Sequence, residues 1–196
     1  MDLMPFDELN SFKEFVTAYK TEQSHTEREK KQFRDDLEEY IEWLLIEAYS
    51  YGNVQARADL GILDEPKDYM NPDRIRAAVD KRVADKTAFE RLAEYADDDT
   101  STVEDFQRVA ETDATRVYNT AVLDTAEASG LKGIYKRWNT AGDDRVRDTH
   151  EYLYGMVVPY KQDFYTYDGD HAPSPGLFSL PENNINCRCT ISLIRE

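Results

Sequence analysis

The spacing of apolar residues changes at Gly130, and nothing else in the sequence limits the fold as strongly. Before that point hydrophobic side chains recur at three and four residues, which places them on one face of an α-helix. After it they alternate, which suits a half-buried strand. Phe6, Leu9, Phe12, Val16 and Tyr19 form a first helical stripe with Pro5 near its start. From Thr26 a longer one carries Phe33, Leu37, Tyr40, Ile41, Leu44, Leu45, Ala48 and Tyr49, and Gly52 and Gly61 weaken its far end. Pro66 and Asn71-Pro72 predict a loop over 64–72, because proline removes an amide donor and restricts the residue before it. Ile75, Val79, Val83, Phe89, Leu92 and Tyr95 predict a third helix that ends at the acidic run 97–101. Ser101 or Thr102, with Glu104 or Asp105 in the first turn, caps a fourth that buries Phe106, Val109, Ala110, Ala114, Val117, Ala121 and Val122 before Gly130 stops it.

Beyond Gly130, residues 134–140 predict a strand with Trp138 inward, and Asp143 or Asp144 caps a short helix running to about Leu153. A short strand begins near Met156, a long irregular loop covers 163–181, and a closing strand sets Cys189, Ile191 and Leu193 on one face. The expected fold is therefore α+β, with long helices in the N-terminal two-thirds and a small antiparallel-strand α/β module at the C-terminus. The helical region extends to about residue 130, with the first stripe either packing back or acting as an arm for a partner. The polar residues Glu111, Thr112, Arg116, Tyr118 and Asn119 of the fourth helix read equally well as a functional cluster or as an Arg116 held by Glu111 or Thr112 beside a solvated Asn119.

Charge narrows the partners. A formal net charge of -16 opposes sequence-independent nucleic-acid binding, which needs Lys and Arg to displace counterions from phosphates. The acidity is spread along the chain and rich in Asp, as in proteins of high-salt cells, where a Debye length of about 3 Å at 1 M salt screens self-repulsion. No apolar run is long enough for a membrane span and no secretory leader opens the chain, so a soluble protein is expected.

The chemistry concentrates between Arg137 and Cys189. Cys187 and Cys189 on an extended backbone point to one side, with Cα atoms about 6.6 Å apart and parallel Cβ vectors, a poor geometry for a disulfide and a good one for two thiolates on one tetrahedral ion. The remaining zinc ligands available nearby are His150 and His171, with Asp148 or Asp143 as a carboxylate substitute. Two other readings stay open: reduced, half-buried cysteines with His150 bonded to a carboxylate, and a thiol nucleophile with His150 as base, for which no oxyanion hole or orienting group is identifiable. Arg188 points away from both thiols toward an acidic partner. No phosphate-binding glycine loop, G-x-S-x-G or H-E-x-x-H is present.

Four blocks in order, ETDATRVYN at 111–119, WNTAGDDRVRDTH at 138–150, LYGMVV at 153–158 and NCRC at 186–189, resemble the phage head morphogenesis family, minor head proteins similar to the F protein of phage Mu. Trp138, Asp144, Arg145, Arg147, His150, Gly155, Cys187, Arg188 and Cys189 carry the likeness, which covers about 103–196 and so implies a division into a helical arm and bundle at 1–102 and a head morphogenesis domain at 103–196. The chain departs at Tyr154, where the family usually has Asp, and in a longer loop before the cysteines. The resemblance implies a structural virion protein, not an enzyme, made in the host cytoplasm and present in few copies inside the head near the portal vertex. It would bind the portal protein, and also the major capsid protein, with the N-terminal helices as docking surface, and assist head assembly or genome delivery. A small zinc- or thiol-dependent enzyme or toxin-like effector is the alternative.

Overall fold

The computed structural model describes residues 6–22, 24–63, 69–83 and 85–196. Pro5, the side chain of Phe6 and most of the 64–72 loop, including Pro66, lie outside the described residues. Five substantial helices come first: α1 (Phe6–Lys20), α2 (Glu27–Leu60), α3 (Pro72–Val79), α4 (Ala88–Asp97) and α5 (Val103–Ala128). Local chemistry sets their ends. Thr26 with Glu29, Thr87 with Glu90 and Thr102 with Asp105 each form a capping box, satisfying first-turn amides that have no helical partner. Gly61 ends α2 in the left-handed region at φ 66°, which glycine adopts without a Cβ clash.

The third predicted helix is two. Its apolar positions keep a helical period, but the Thr87 capping box starts α4 afresh, and Val83 and Lys86 pair across a turn in which Asp85 takes φ 64°.

Two apolar clusters result. The first gathers Leu9, Phe12 and Val16 of α1 with the inward faces of α2, α4 and the first half of α5, so α1 packs back on its own chain. The second lies beyond the far ends of α2 and α5, where Ala56, Leu60, Tyr118, Val122 and Ala126 meet Ile134, Trp138, Ile191 and Leu193. Both long helices run through both clusters. They come close together at Gly52, where an added Cβ would stand 2.3 Å from the Tyr118 carbonyl oxygen.

The C-terminal module is built on β1 (Ile134–Asn139), β2 (Val157–Pro159) and β5 (Thr190–Arg195) in the antiparallel order β2-β1-β5. In this register Trp138 stands opposite Ile191, and both are buried. One-turn helix α6 (Asp148–Glu151) follows β1. It is shorter than expected: Asp143, one of the two predicted caps, accepts from the Arg145 amide and from Arg188 ahead of the helix, and Arg147 takes the N-cap position without a side-chain bond.

The segment 163–181 is ordered rather than irregular. Strands β3 (Phe164–Tyr165) and β4 (His171–Ala172) make a small hairpin, and a 3₁₀ turn follows at Pro181–Asn183. Asp170 fixes this stretch by accepting from the amides of His171, Ser179 and Leu180 and the side chains of Ser179 and Asn183. Burial works against ionising this carboxyl, but those donors outweigh it and hold the group at about 2.

Candidate metal centre

His150 sits on α6 with its ring confined by two aromatic neighbours. Trp138 meets it edge-on at 5.3 Å between centroids and Phe178 stacks at 5.5 Å. The cysteines approach from the segment entering β5, where Asn186 turns the chain at φ 57°. Thr112 of α5 accepts the Asn186 amide at 3.1 Å. Asn119 of α5 accepts the Ile191 amide at 2.9 Å and donates to the Cys189 carbonyl at 3.1 Å. The amide and carbonyl of Trp138 bond toward β2, so the facing Ile191 amide points out of the ladder and needs this side-chain partner. Asp59 of α2 takes the Leu193 amide at 2.8 Å in the same way. The outer edge of β5 is thus closed by helix side chains instead of another strand.

His150 Nδ1 lies 3.4 Å from Cys187 Sγ and 3.6 Å from Cys189 Sγ. All three residues are at most 4% exposed, and both cysteines are free thiols. Cys187 is held well below the usual thiol range because the Cys189 thiol donates to its sulfur and His150 stands beside it, against the opposing effect of burial. The same bond and burial push Cys189 up. Next to the two sulfurs is a cavity of about 10 Å³ lined by Arg145, Val146, Arg147, Asn186 and Arg188, room for about one water-sized atom.

His150, Cys187 and Cys189 are brought together as expected, and their ligand atoms lie within 4.8 Å of one another. His171 does not join them. The β3–β4 hairpin turns it outward, with Nδ1 2.8 Å from Asp163 and its ring stacked on Tyr165. The carboxylate substitutes are also elsewhere: Asp148 is exposed, and Asp143 makes a two-point pair with Arg188 at 2.6 and 2.8 Å that holds it well below the usual carboxylate range. Arg188 pairs with an acid, Asp143, and lines the same small cavity as the two thiols. Gly155 takes φ 73° at the turn into β2.

The polar residues of α5 are neither solvated nor arranged around an opening. Arg116 is 1% exposed, bonded to Asp113 at 2.9 Å and to the Ala78 carbonyl at 2.7 Å, and Asp113 also pairs with Arg91. Asn119 is fully buried. Asp113, Asp170 and the buried Lys136 were not singled out by sequence. Asp113 stands three residues from Arg116 on one helix, a spacing that sequence can show, whereas Lys136 Nζ donates to the Pro173 carbonyl at 2.6 Å and Asp170 accepts from Ser179, Leu180 and Asn183, partners no local spacing signals.

Comparison with known proteins places this geometry. A stretch of the chain is 33% identical over 85 residues to an NAD(+)--arginine ADP-ribosyltransferase EFV of Enterococcus faecalis, covering 42% of this chain and 17% of that protein. Another match, 29% identical over 83 residues, is to Minor head protein GP7 of Bacillus phage SPP1, covering 42% of this chain and 27% of that protein. Both matches thus span under a third of the relative's length. No solved structure matches the chain significantly. The family described as Phage Mu protein F like protein matches residues 73–192, from α3 to within β5 and across every residue of the His150 and cysteine cluster. With well over half its length inside that match, the chain belongs to the Phage Mu protein F like family.

Proposed function

We propose that this chain is a structural minor head protein of a tailed virus, present in few copies inside the head near the portal vertex, where it binds the portal and assists head assembly or genome delivery. Family membership and the likeness to a phage minor head protein support the head assignment. The structural role rests on one observation: the aromatic, imidazole and thiol groups that carry the family likeness are turned inward, with Trp138 at 0%, His150 at 1%, Cys189 at 3% and Cys187 at 4% exposure. A group buried beside a space for about one water-sized atom holds a fold together better than it receives a large substrate. Residues 1–102 would supply the docking surface for the portal, with the major capsid protein as a further contact, and 103–196 the rigid head morphogenesis module. A zinc ion at His150, Cys187 and Cys189 would clamp the terminal strand in that module. The charge of -16 fits a protein that does not hold the packaged DNA, and a virus of a salt-loving host.

Mass spectrometry of purified particles should find this polypeptide, and a portal ring should co-purify with it; absence from intact particles refutes the reading. The host reading requires higher stability in molar KCl than in dilute buffer. A second reading, a zinc- or thiol-dependent enzyme or toxin-like effector, is favoured only by the match to the ADP-ribosyltransferase. It demands a hydrolase or transferase activity that disappears in His150→Ala.

A further inference from the structure

Resting on the metal reading above, we propose that the zinc-class ion is held by three protein donors only. Its fourth position faces the mouth formed by Arg145, Arg147 and Arg188 and takes a small exogenous donor, water at rest and a small anion when one is supplied. Zinc bonds of about 2.0–2.1 Å to imidazole nitrogen and about 2.3 Å to thiolate, at a tetrahedral angle, place nitrogen and sulfur about 3.6 Å apart. His150 Nδ1 stands 3.4 and 3.6 Å from the two sulfurs, so the donors already lie along two edges of that tetrahedron. A hydrogen bond accounts for the arrangement less well, since Nδ1 carries at most one proton and faces two sulfurs at nearly equal distance. Two thiolates neutralise a divalent cation, which makes its burial acceptable where a bare pair of thiolates would not be. Thiolate and imidazole donors in a tetrahedral set select zinc over hard cations. On binding, the remaining thiol protons leave to solvent and two metal–sulfur bonds form, with no change of oxidation state.

The fourth position is the new element. Among the described residues no other His, Cys, Asp or Glu joins the set, because Asp143 is bound by Arg188 and His171 by Asp163. Among the described residues, the buried side-chain atoms that lack any hydrogen-bond partner include His150 Nε2, Trp138 Nε1 and Arg147 Nη1, and His150 and Arg147 both line the small cavity. Arg147 lines the small cavity and donates through its other nitrogen to the Ile185 carbonyl at 2.6 Å. Among the described residues it forms no ion pair, so its charge is available to an anionic donor on the metal.

The experiment uses the full chain, purified reduced and loaded with zinc or cobalt. Elemental analysis should give one ion per chain, retained in His171→Ala and lost in Cys187→Ser, Cys189→Ser and His150→Ala. The cobalt form should show thiolate-to-metal charge transfer and tetrahedral d–d bands, and azide titration should shift the d–d bands. Arg147→Gln should weaken azide binding by about tenfold with the ion content unchanged, as expected for loss of a charge-assisted contact. No stoichiometric ion in reduced wild-type protein overturns the metal reading. A bound cobalt whose bands ignore azide overturns only the open position, and retention in all three ligand variants overturns the donor set. The head assignment is tested separately by particle composition, and wild-type titration alone decides the metal question if the ligand variants fail to fold.

Discussion

Replacing Asn119 by Ala removes one amide and leaves two backbone groups of the terminal segment stranded. In the native protein that side chain accepts the Ile191 amide at 2.9 Å and donates to the Cys189 carbonyl at 3.1 Å, at full burial. Neither group has a strand partner on that side, and the truncation opens space bounded by apolar residues. A buried backbone group left unsatisfied costs about 1–3 kcal/mol, so the pair should cost about 2–5 kcal/mol, a large part of the total stability of about 5–15 kcal/mol typical of a folded domain. Urea denaturation should register this as a lowered midpoint at unchanged slope, and thermal unfolding as a fall of roughly 10 °C in Tm. Hydrogen exchange should show the loss at Ile191 first, since that amide depends directly on Asn119. A destabilisation below about 1 kcal/mol, or unchanged protection at Ile191, would refute the view that α5 holds the terminal strand through this side chain.

Other perturbations test other parts of the fold. Asp113→Ala leaves the guanidinium of Arg116, 1% exposed, without its carboxylate, and should cost about 3–5 kcal/mol by urea denaturation, with Asp113→Leu/Arg116→Met recovering most of it. Gly52→Ala gains about 1 kcal/mol of helix propensity but drives a Cβ to 2.3 Å from the Tyr118 carbonyl oxygen, so a net loss of about 2 kcal/mol is expected as α2 and α5 separate. Burial pushes Lys136 down to about 8 from 10.5, against the opposing pull of Asp163. Between those values the unfolded chain holds the proton and the folded one does not, so stability should rise with pH across that window, by at most about 3 kcal/mol. Lys136→Met should flatten the rise in denaturation curves collected from pH 7.5 to 10.

Much of the helical part is legible because helix ends are written locally. Thr26, Thr87 and Thr102 each precede an acidic residue by three positions, and the periodic stripes between them correspond to the buried faces. The break between α3 and α4 is missed because the apolar period continues through it, and only the Thr87 to Glu90 reciprocity marks a new start. Gly52 reads as a weak point of α2 because propensity sees an exposed backbone, whereas packing uses the absent side chain to admit Tyr118. The 163–181 stretch reads as irregular for a similar reason. Its order comes from five donors converging on Asp170, most of them eight or more residues away in sequence.

The sequence alone determined the element types, the inward face of Trp138, the shared side of Cys187 and Cys189, and the family likeness, because period and alternation are local properties of the backbone. Tertiary structure decided which histidine meets the thiols. His150 and His171 are equally plausible in one dimension, but α6 lies under Trp138 and Phe178 beside the terminal segment, whereas β4 turns His171 to solvent against Asp163. It also decided that Asn119 and Asp113 are buried fastenings and Asp59 a half-buried one. Their partners are unpaired amides and a guanidinium that exist as unmet demands only once β5 and α5 have packed.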